Sequence, residues 1–581
     1  MERLIVQTTV KRTVRRAAAG AALALTAFAA CKKTGQANGD ISRNWVPPVQ
    51  DTVMGVATSA VTSAIQQRLG ADAPDHVTSD QWKHVKHLYS TFNDNLLWLT
   101  DKGVHQPRVS ALLNTLASAD SDALDLSAYP LSQLGAALNS IDGKHPTAQQ
   151  LADADVLLSS AYVTYGENML TGQYSPSNLG QSWHINPEEE HVDSALTLTL
   201  REDNFAGGLA RMRPQDAGYD SLRTELVHYR AIVARGGWPT VPDGPQLKPG
   251  DKDSPARLSA LRARLSAEGY AVGNDSTNTS GTSAPARANV YDRQLAGAVG
   301  EFQARHSIGV DSMLGQETLD AINLPADYRL AQIAANLERY RWLPRSLGER
   351  YILVNVPQFH LDAYDNGQEV LEMKVIVGQE YEDKATPVFS DSMEYVVFRP
   401  YWDVTPDIAA KEIFPKIAAN PDYLAENDME IYHDNGQRAV RQRPGPKNSL
   451  GLVKFIFPND YNIYLHDTPA RTLFDKDVRA FSHGCIRIEK PAELAQWVLG
   501  WPADKVDQAM HDGPDDHQVN LPKKIPVYIV YFTTFVKNGV LNFGNDLYDR
   551  DSQLVSQVKA ASNPSPEAVR AEAALRGLAG Q

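Results

Sequence analysis

Apolar residues recur at spacings of three and four from about Asp80 to Leu170, in HLYSTFNDNLLWL, VSALLNTLASA and LADADVLLSSAYVTYGENML, and predict a helical scaffold. Pro, Ser, Asn and Gly between Ser175 and Pro187 interrupt that period, and a second helical portion resumes over about 192–235. A Pro/Gly-rich run from Gly236 to Pro255 reads as a linker. Three short helices follow: one with Leu258, Leu261 and Leu265 on a single face, one around Leu295, Val299 and Phe302, and one over QETLDAIN. An Asn/Ser/Thr/Gly-rich insert at 273–283 separates the first two. Arg329–Trp342 is predicted as an amphipathic helix with Leu330, Ile333 and Leu337 on one face, ending before Pro344.

After that helix the period changes to two. RYILVNVPQFHLDAY and QEVLEMKVIVG alternate or run apolar, and Asp365-Asn366-Gly367 between them supplies a hairpin turn whose positive φ values Asn and Gly tolerate. Further strands are predicted at 395–398, 453–457, 463–466 and 527–535, with a helix at 492–499. A long segment without strand character, 403–447, interrupts this β-rich region, and inserts of that kind tend to be lids or binding loops. The pattern therefore predicts a multidomain α+β chain. Its parts are a leader (1–31), a flexible tether (32–74), a helical scaffold (75–250), a small three-helix domain (251–325), a connecting helix (326–348), a β-rich domain (349–535) with a helical cap at about 403–447, and a C-terminal extension (536–581) that shows no function of its own.

Composition and local charge sharpen this picture further. A net charge of -14 without a downstream Lys/Arg cluster argues against a nucleic-acid partner. Lys11, Arg12, Arg15 and Arg16 precede an apolar stretch, Ala17–Ala30, of signal-peptide length, which predicts export. The stretch ends in Phe28-Ala29-Ala30-Cys31, which resembles a bacterial lipobox and implies lipidation of Cys31 and a membrane tether, the alternative being plain cleavage after an A-x-A-like site. Only Cys31 and Cys485 occur, so no structural disulfide is expected in an oxidising compartment, and Cys485 is either buried and inert or used. His184, Glu188, Glu189, Glu190 and His191 lack a helical ligand spacing and read as a solvated charge run, so no metal site is predicted.

The candidate chemistry lies in two short segments. In IYLH (463–466) strand alternation puts Tyr464 and His466 on one face. SHGCIR (482–487) places Gly484 before Cys485, where the absence of a side chain lets a substrate carbonyl approach the backbone. A thiol needs a nearby base or cation to act as thiolate at neutral pH. HDTP at 466–469, a twelve-residue gap and SHGCIR together resemble the signature of the L,D-transpeptidase (YkuD-type) catalytic domain, over roughly 349–535. FQARHSIGVDSMLGQETLDAIN resembles a peptidoglycan-binding module, and the whole order resembles the large multidomain branch of that family.

The resemblance implies a β-sandwich-like catalytic domain whose cysteine is reached under the cap. It implies Cys485 as nucleophile and His466 as base, oriented by either the carbonyl or the carboxylate of Asp467, with His483 secondary. N–H groups around Gly484 and Cys485 would be the oxyanion donors, and Ser482 either donates to the site or shapes its turn. Arg487 either binds a stem-peptide carboxylate or pairs with an acidic neighbour, while Tyr464 and Trp402 either line the donor groove or pack in the core. The implied reaction takes peptidoglycan tetrapeptide stems as donor and amine acceptor, needs no cofactor, and is open to carbapenem-type β-lactams. The rival expectations are hydrolysis, attachment of a protein to the wall, and a non-enzymatic wall-binding scaffold.

Overall fold

A computed structural model describes residues 41–142, 145–179, 182–185, 191–272, 289–379, 384–434, 436–563 and 566–579. The leader with Cys31, the insert at 273–283 and Glu188–Glu190 lie outside the described residues. No helix among the described residues is long and apolar enough to cross a membrane.

The helical scaffold is organised around Ala148–Thr171, which buries residues on nearly every side. Helices Ser79–Thr91, Gln106–Leu116, Leu131–Ile141 and Val192–Leu200 surround it, and their apolar stripes form one core with Trp82, Leu112, Leu134 and Leu196. Within the expected tether, 32–74, the described residues from 41 on dock against the scaffold instead. The Asp203 N–H donates to the Ser42 carbonyl, the Arg108 guanidinium stacks 3.8 Å over Trp45, and helix Thr58–Gly70 buries Val61, Ala64 and Ile65 in the scaffold core. The i, i+3, i+4 spacing of those three residues is the reason the segment docks.

The predicted linker is also partly absorbed. Val241 and Leu247 are buried in the small helical domain, and Leu247 bridges to Leu314. Helix Ala217–Ala234, read as the end of the scaffold, instead puts Tyr219, Leu222, Leu226 and Tyr229 into the core of the β-rich domain. The connecting helix, Ala326–Arg341, is amphipathic in sequence but enclosed on all sides, with Glu338, Arg339 and Arg341 fully buried. Its charges are matched within the molecule, Arg341 by Glu338 and Arg339 by Asp551.

The β-rich domain is one ten-stranded sheet. Its strands, numbered along the chain, are β1 (Trp183–His184), β2 (Arg350–Asn355), β3 (His360–Asp365), β4 (Gln368–Gly378), β5 (Val388–Phe398), β6 (Val453–Ile456), β7 (Leu465–His466), β8 (Ala480–Ser482), β9 (Ile486–Ile488) and β10 (His517–Val530). The order is β6-β7-β9-β4-β3-β2-β10-β5-β1, with β8 on β4, and β6 pairs β5 as well. The sandwich-like domain is thus built from a sheet closed on itself, with Val354, Val375, Phe455 and Ile529 filling the interior. β1 comes from the scaffold side of the chain and extends the sheet in parallel with β5.

The insert at 403–447 forms a small unit. A three-stranded sheet (Trp402–Asp403, Met429–Asp434, Gln437–Gln442) carries short helices and closes on a core of Val404, Ala409, Ile413, Met429 and Val440. The C-terminal extension forms a hairpin partner at Val540–Phe543 and helices Asp551–Ser562 and Pro566–Ala579. The first of these helices packs on the connecting helix and the second returns to the scaffold.

Candidate active site

Parallel pairing of β7 with β9 assembles the site. Leu465 lies opposite Ile486 and His466 opposite Arg487, and the Ile486 N–H donates to the Tyr464 carbonyl at 3.1 Å, which carries the register back to Cys485. Since side chains alternate along a strand, Leu465 and Ile486 enter the core while Tyr464, His466, Cys485 and Arg487 share the other face. The Tyr464 and His466 rings are 5.7 Å apart between centroids. Regular pairing is shorter than the sequence predicted, because the loop before Leu465 turns through Asn462 at φ 54°.

His466 is fixed by its own chain neighbour. Its Nδ1 lies 2.6 Å from the Asp467 carbonyl oxygen. A carbonyl only accepts, so Nδ1 carries the proton and Nε2 is the basic nitrogen. The Asp467 carboxylate is occupied elsewhere, accepting from the Leu452 N–H at 2.9 Å and from Arg471 at 3.1 Å.

The electrostatics keep both the His466 imidazole and the Cys485 thiol neutral at rest. Burial first, then the Arg487 guanidinium opposite on β9 and Lys454 opposite on β6, hold the His466 imidazole down at about 3. Burial pushes the Cys485 thiol up to about 11, against hydrogen bonds from the Tyr464 N–H and hydroxyl and the charge of Arg487. The thiol donates to the Asn462 carbonyl at 3.5 Å.

The turn around the cysteine is set by Gly484 at φ +114°, where a Cβ would lie 3.2 Å from Ile463 Cδ1. Ser482 takes the turn role: its hydroxyl donates to the Cys485 carbonyl at 2.5 Å and accepts from the Gly484 N–H at 3.2 Å. Of the two N–H groups expected as oxyanion donors, Gly484's is therefore engaged, whereas that of Cys485 makes no hydrogen bond to any described residue. Arg487 has no acidic partner among the described residues, and its Nε is buried without a hydrogen bond. A buried donor of this kind is costly unless a ligand satisfies it.

His483 turns away from this face to the cap. Its Nε2 lies 2.5 Å from Glu412 Oε1, and Lys384 Nζ lies 3.7 Å from the same oxygen. Glu412 sits in a π-helical turn, Ala409–Ile413, a local geometry frequent at functional sites. The cap also reaches Tyr464, whose hydroxyl is held well above the usual range by burial and the Cys485 sulfur, with Asp403 adding to it. Trp402 pairs with Gln442 and packs against the cap's own core.

Sequence reasoning did not single out Glu412, Asn462 or Lys384. The IAAKEIF helix was legible, but its carboxylate acquires meaning only through a partner 71 positions away. His184 stacks on Tyr461 with centroids 4.9 Å apart. Among the described residues, the one cluster with metal-ligand chemistry is His360, Asp362 and Glu372, and Lys537 already supplies its cation, 2.6 Å from Glu372 and 3.9 Å from Asp362.

With this geometry in hand, the comparisons define two parts of the chain: residues 349–529 match the YkuD-type L,D-transpeptidase catalytic domain and residues 83–226 match the Scaffold domain. A Haemophilus influenzae protein provisionally named an L,D-transpeptidase is 31% identical over 243 residues, covering 38% of this chain and 48% of that relative. The match thus spans about half the relative's length. Among solved structures, an L,D-transpeptidase fragment of Xylanimonas cellulosilytica aligns at 16% identity over 50% of this chain and 100% of its own, with a TM-score of 0.15. A fused Zn-dependent amidase/peptidase/peptidoglycan-binding domain-containing protein of Clostridium acetobutylicum aligns at 13% identity, with the same coverages and a TM-score of 0.14. Neither alignment is close enough to bear on the fold or the chemistry.

Proposed function

We propose that this chain forms 3→3 peptidoglycan cross-links as a cysteine-dependent L,D-transpeptidase. The observation that carries this is the common face of Tyr464, His466, Cys485 and Arg487, with the imidazole fixed so that Nε2 is its basic atom.

In the first half-reaction the Cys485 thiol gives its proton to His466 Nε2 as sulfur attacks the carbonyl joining the third stem residue, a diamino acid, to the terminal D-alanine. The neutral resting pair means that proton transfer accompanies attack. The Cys485 N–H stabilises the oxyanion. Collapse breaks the amide bond, His466 returns the proton to the leaving nitrogen, and D-alanine departs with a thioester left on Cys485. In the second half-reaction an acceptor amine, the side chain of another stem's third residue, attacks the thioester and gives its proton to His466. The cross-link forms and the thiol is restored. Arg487, with its buried unpaired Nε, suits the D-alanine carboxylate, and a carboxylate there would offset the charge that depresses His466. Trp402, at the start of the cap, is assigned to the wall of the donor groove.

The same reading places the protein outside the cytoplasm, tethered through a lipid on Cys31, and makes carbapenems acylating inhibitors of Cys485. A Cys31→Ser protein that still sediments with membranes would defeat the tether. A carbapenem adduct retained by Cys485→Ala would defeat the inhibitor assignment. The deciding experiment incubates wild type and Cys485→Ala with disaccharide-tetrapeptide and reads the products by mass. A Cys485-dependent dimer lacking one D-alanine is expected. Tripeptide alone identifies water as acceptor, an adduct on a protein amine identifies an anchoring enzyme, and unchanged tetrapeptide identifies a wall-binding scaffold.

A further inference from the structure

The turn that presents Cys485 is held from behind by a hydrogen-bonded bracket. Thr386 Oγ1 donates to the Gly484 carbonyl at 2.9 Å and accepts from the Gly378 N–H at 2.9 Å. The Tyr548 hydroxyl donates to the Gly378 carbonyl at 2.7 Å and accepts from the Thr386 N–H at 3.2 Å. Arg550 donates to the Thr386 carbonyl at 3.3 Å, and its guanidinium lies 4.8 Å over the Tyr548 ring. Thr386 is fully buried, and Tyr548 and Arg550 lie beyond residue 529, where the match to the catalytic domain ends.

A trans peptide is planar, so the Gly484 carbonyl and the Cys485 N–H lie in one plane and point opposite ways. Whatever fixes the carbonyl aims the N–H. Gly484, at φ +114°, lacks the Cβ sterics that restrict other residues, and the Cys485 N–H itself has no partner among the described residues. A donor on the carbonyl also polarises the peptide and strengthens its N–H as a donor. We propose that Thr386, locked by Tyr548 of the C-terminal extension, is the positioning residue that aims the Cys485 N–H at the oxyanion formed during acylation. This rests on the proposed function only in taking Cys485 as the acyl-accepting nucleophile.

The test compares two reactions of the same sulfur in the full chain. Acylation by disaccharide-tetrapeptide passes through an oxyanion, whereas alkylation by iodoacetamide, a displacement at saturated carbon, does not. Thr386→Val and Tyr548→Phe are each expected to slow acylation by at least about tenfold while alkylation changes by less than about twofold, and Thr386→Ser, which keeps the donor, is expected to retain acylation. Tyr548→Phe keeps the ring and decides the matter where Thr386→Val does not fold. Unchanged acylation overturns the proposal, as does a parallel fall in both reactions, which would mark simple collapse of the turn. Wild type that alkylates but is never acylated defeats the proposed function itself, a result visible without any variant.

Discussion

The Nδ1 of His466 lies 2.6 Å from the carbonyl oxygen of Asp467, the next residue in the chain. Orientation of the His466 imidazole thus depends on backbone, while the Asp467 side chain serves the Leu452 N–H and Arg471. Asp467→Asn keeps the carbonyl and an acceptor for Leu452, so Cys485 acylation is expected to stay within about fivefold of wild type, whereas His466→Ala loses about 10²–10⁴. Stopped acylation assays on the two variants separate the cases. A collapse in Asp467→Asn matching that of His466→Ala would assign the orientation to the carboxylate.

The resting charge state fixes the pH behaviour. With His466 held at about 3 and the thiol at about 11, the imidazole is unprotonated and the sulfur protonated across the physiological range. The sign follows directly: thiolate grows tenfold per pH unit until about 11, so iodoacetamide alkylation should climb through pH 6–10 without a plateau. Acylation kcat/KM, which reports the free enzyme, should show no acid limb near the ordinary histidine value. Arg487→Gln removes a charge that lowers the thiol, and should slow alkylation at pH 8. A plateau in alkylation below pH 8 would mean a preformed thiolate-imidazolium pair and overturn this account.

Much of this was legible in the sequence because it is local. The spacing from HDTP to SHGCIR, the alternation in IYLH and the change of period after Trp342 each follow from short-range backbone geometry, and the resemblance to the L,D-transpeptidase catalytic domain, matched at 349–529, rested on those residues. What escaped depends on contacts distant in sequence. The length of strand around His466 was overestimated because alternation does not reveal where a loop with positive φ begins. Residues 32–74 read as tether from their polar, Pro-containing start, and local text did not reveal the scaffold face that receives Val61 and Ile65. The polar text after Phe543 gave no hint that Tyr548 meets Thr386 and Gly378, since a buried network is coded by residues that are unremarkable one at a time.

The cap is clasped to the SHGCIR segment through His483 and Glu412, 2.5 Å apart, with Lys384 on the same carboxylate. His483 and Lys384 hold that carboxyl below its usual range. Both members of the His483–Glu412 pair are part-exposed, and pairs of this kind contribute about 0–1 kcal/mol. Glu412→Gln should therefore leave global stability almost unchanged, within about 1 kcal/mol, while loosening a small unit with its own core. Hydrogen exchange should quicken in peptides covering 403–434 and not in the strands of the closed sheet. Equal protection of the cap in wild type and variant would show that its own core, not the clasp, sets its opening.

The C-terminal extension is anchored by an ion pair with no access to water. Arg339 Nη1 lies 2.6 Å from Asp551 Oδ1, both side chains are fully buried, and Thr533 and Gln332 each donate to the same carboxylate at 2.9 Å. Removing one partner of such a pair strands the other charge in the interior, at a cost of about 3–5 kcal/mol. Asp551→Ala should fall in that range by denaturant unfolding, and Asp551→Asn, which retains acceptors for Arg339 and Thr533, should cost less. The consequence reaches the site, because Arg550 and Tyr548 immediately precede Asp551 and grip Thr386. Asp551→Asn should accordingly slow acylation more than alkylation of Cys485 even under conditions where the protein is fully folded. A variant that loses stability yet acylates at the wild-type rate would separate the anchor from the bracket behind Cys485.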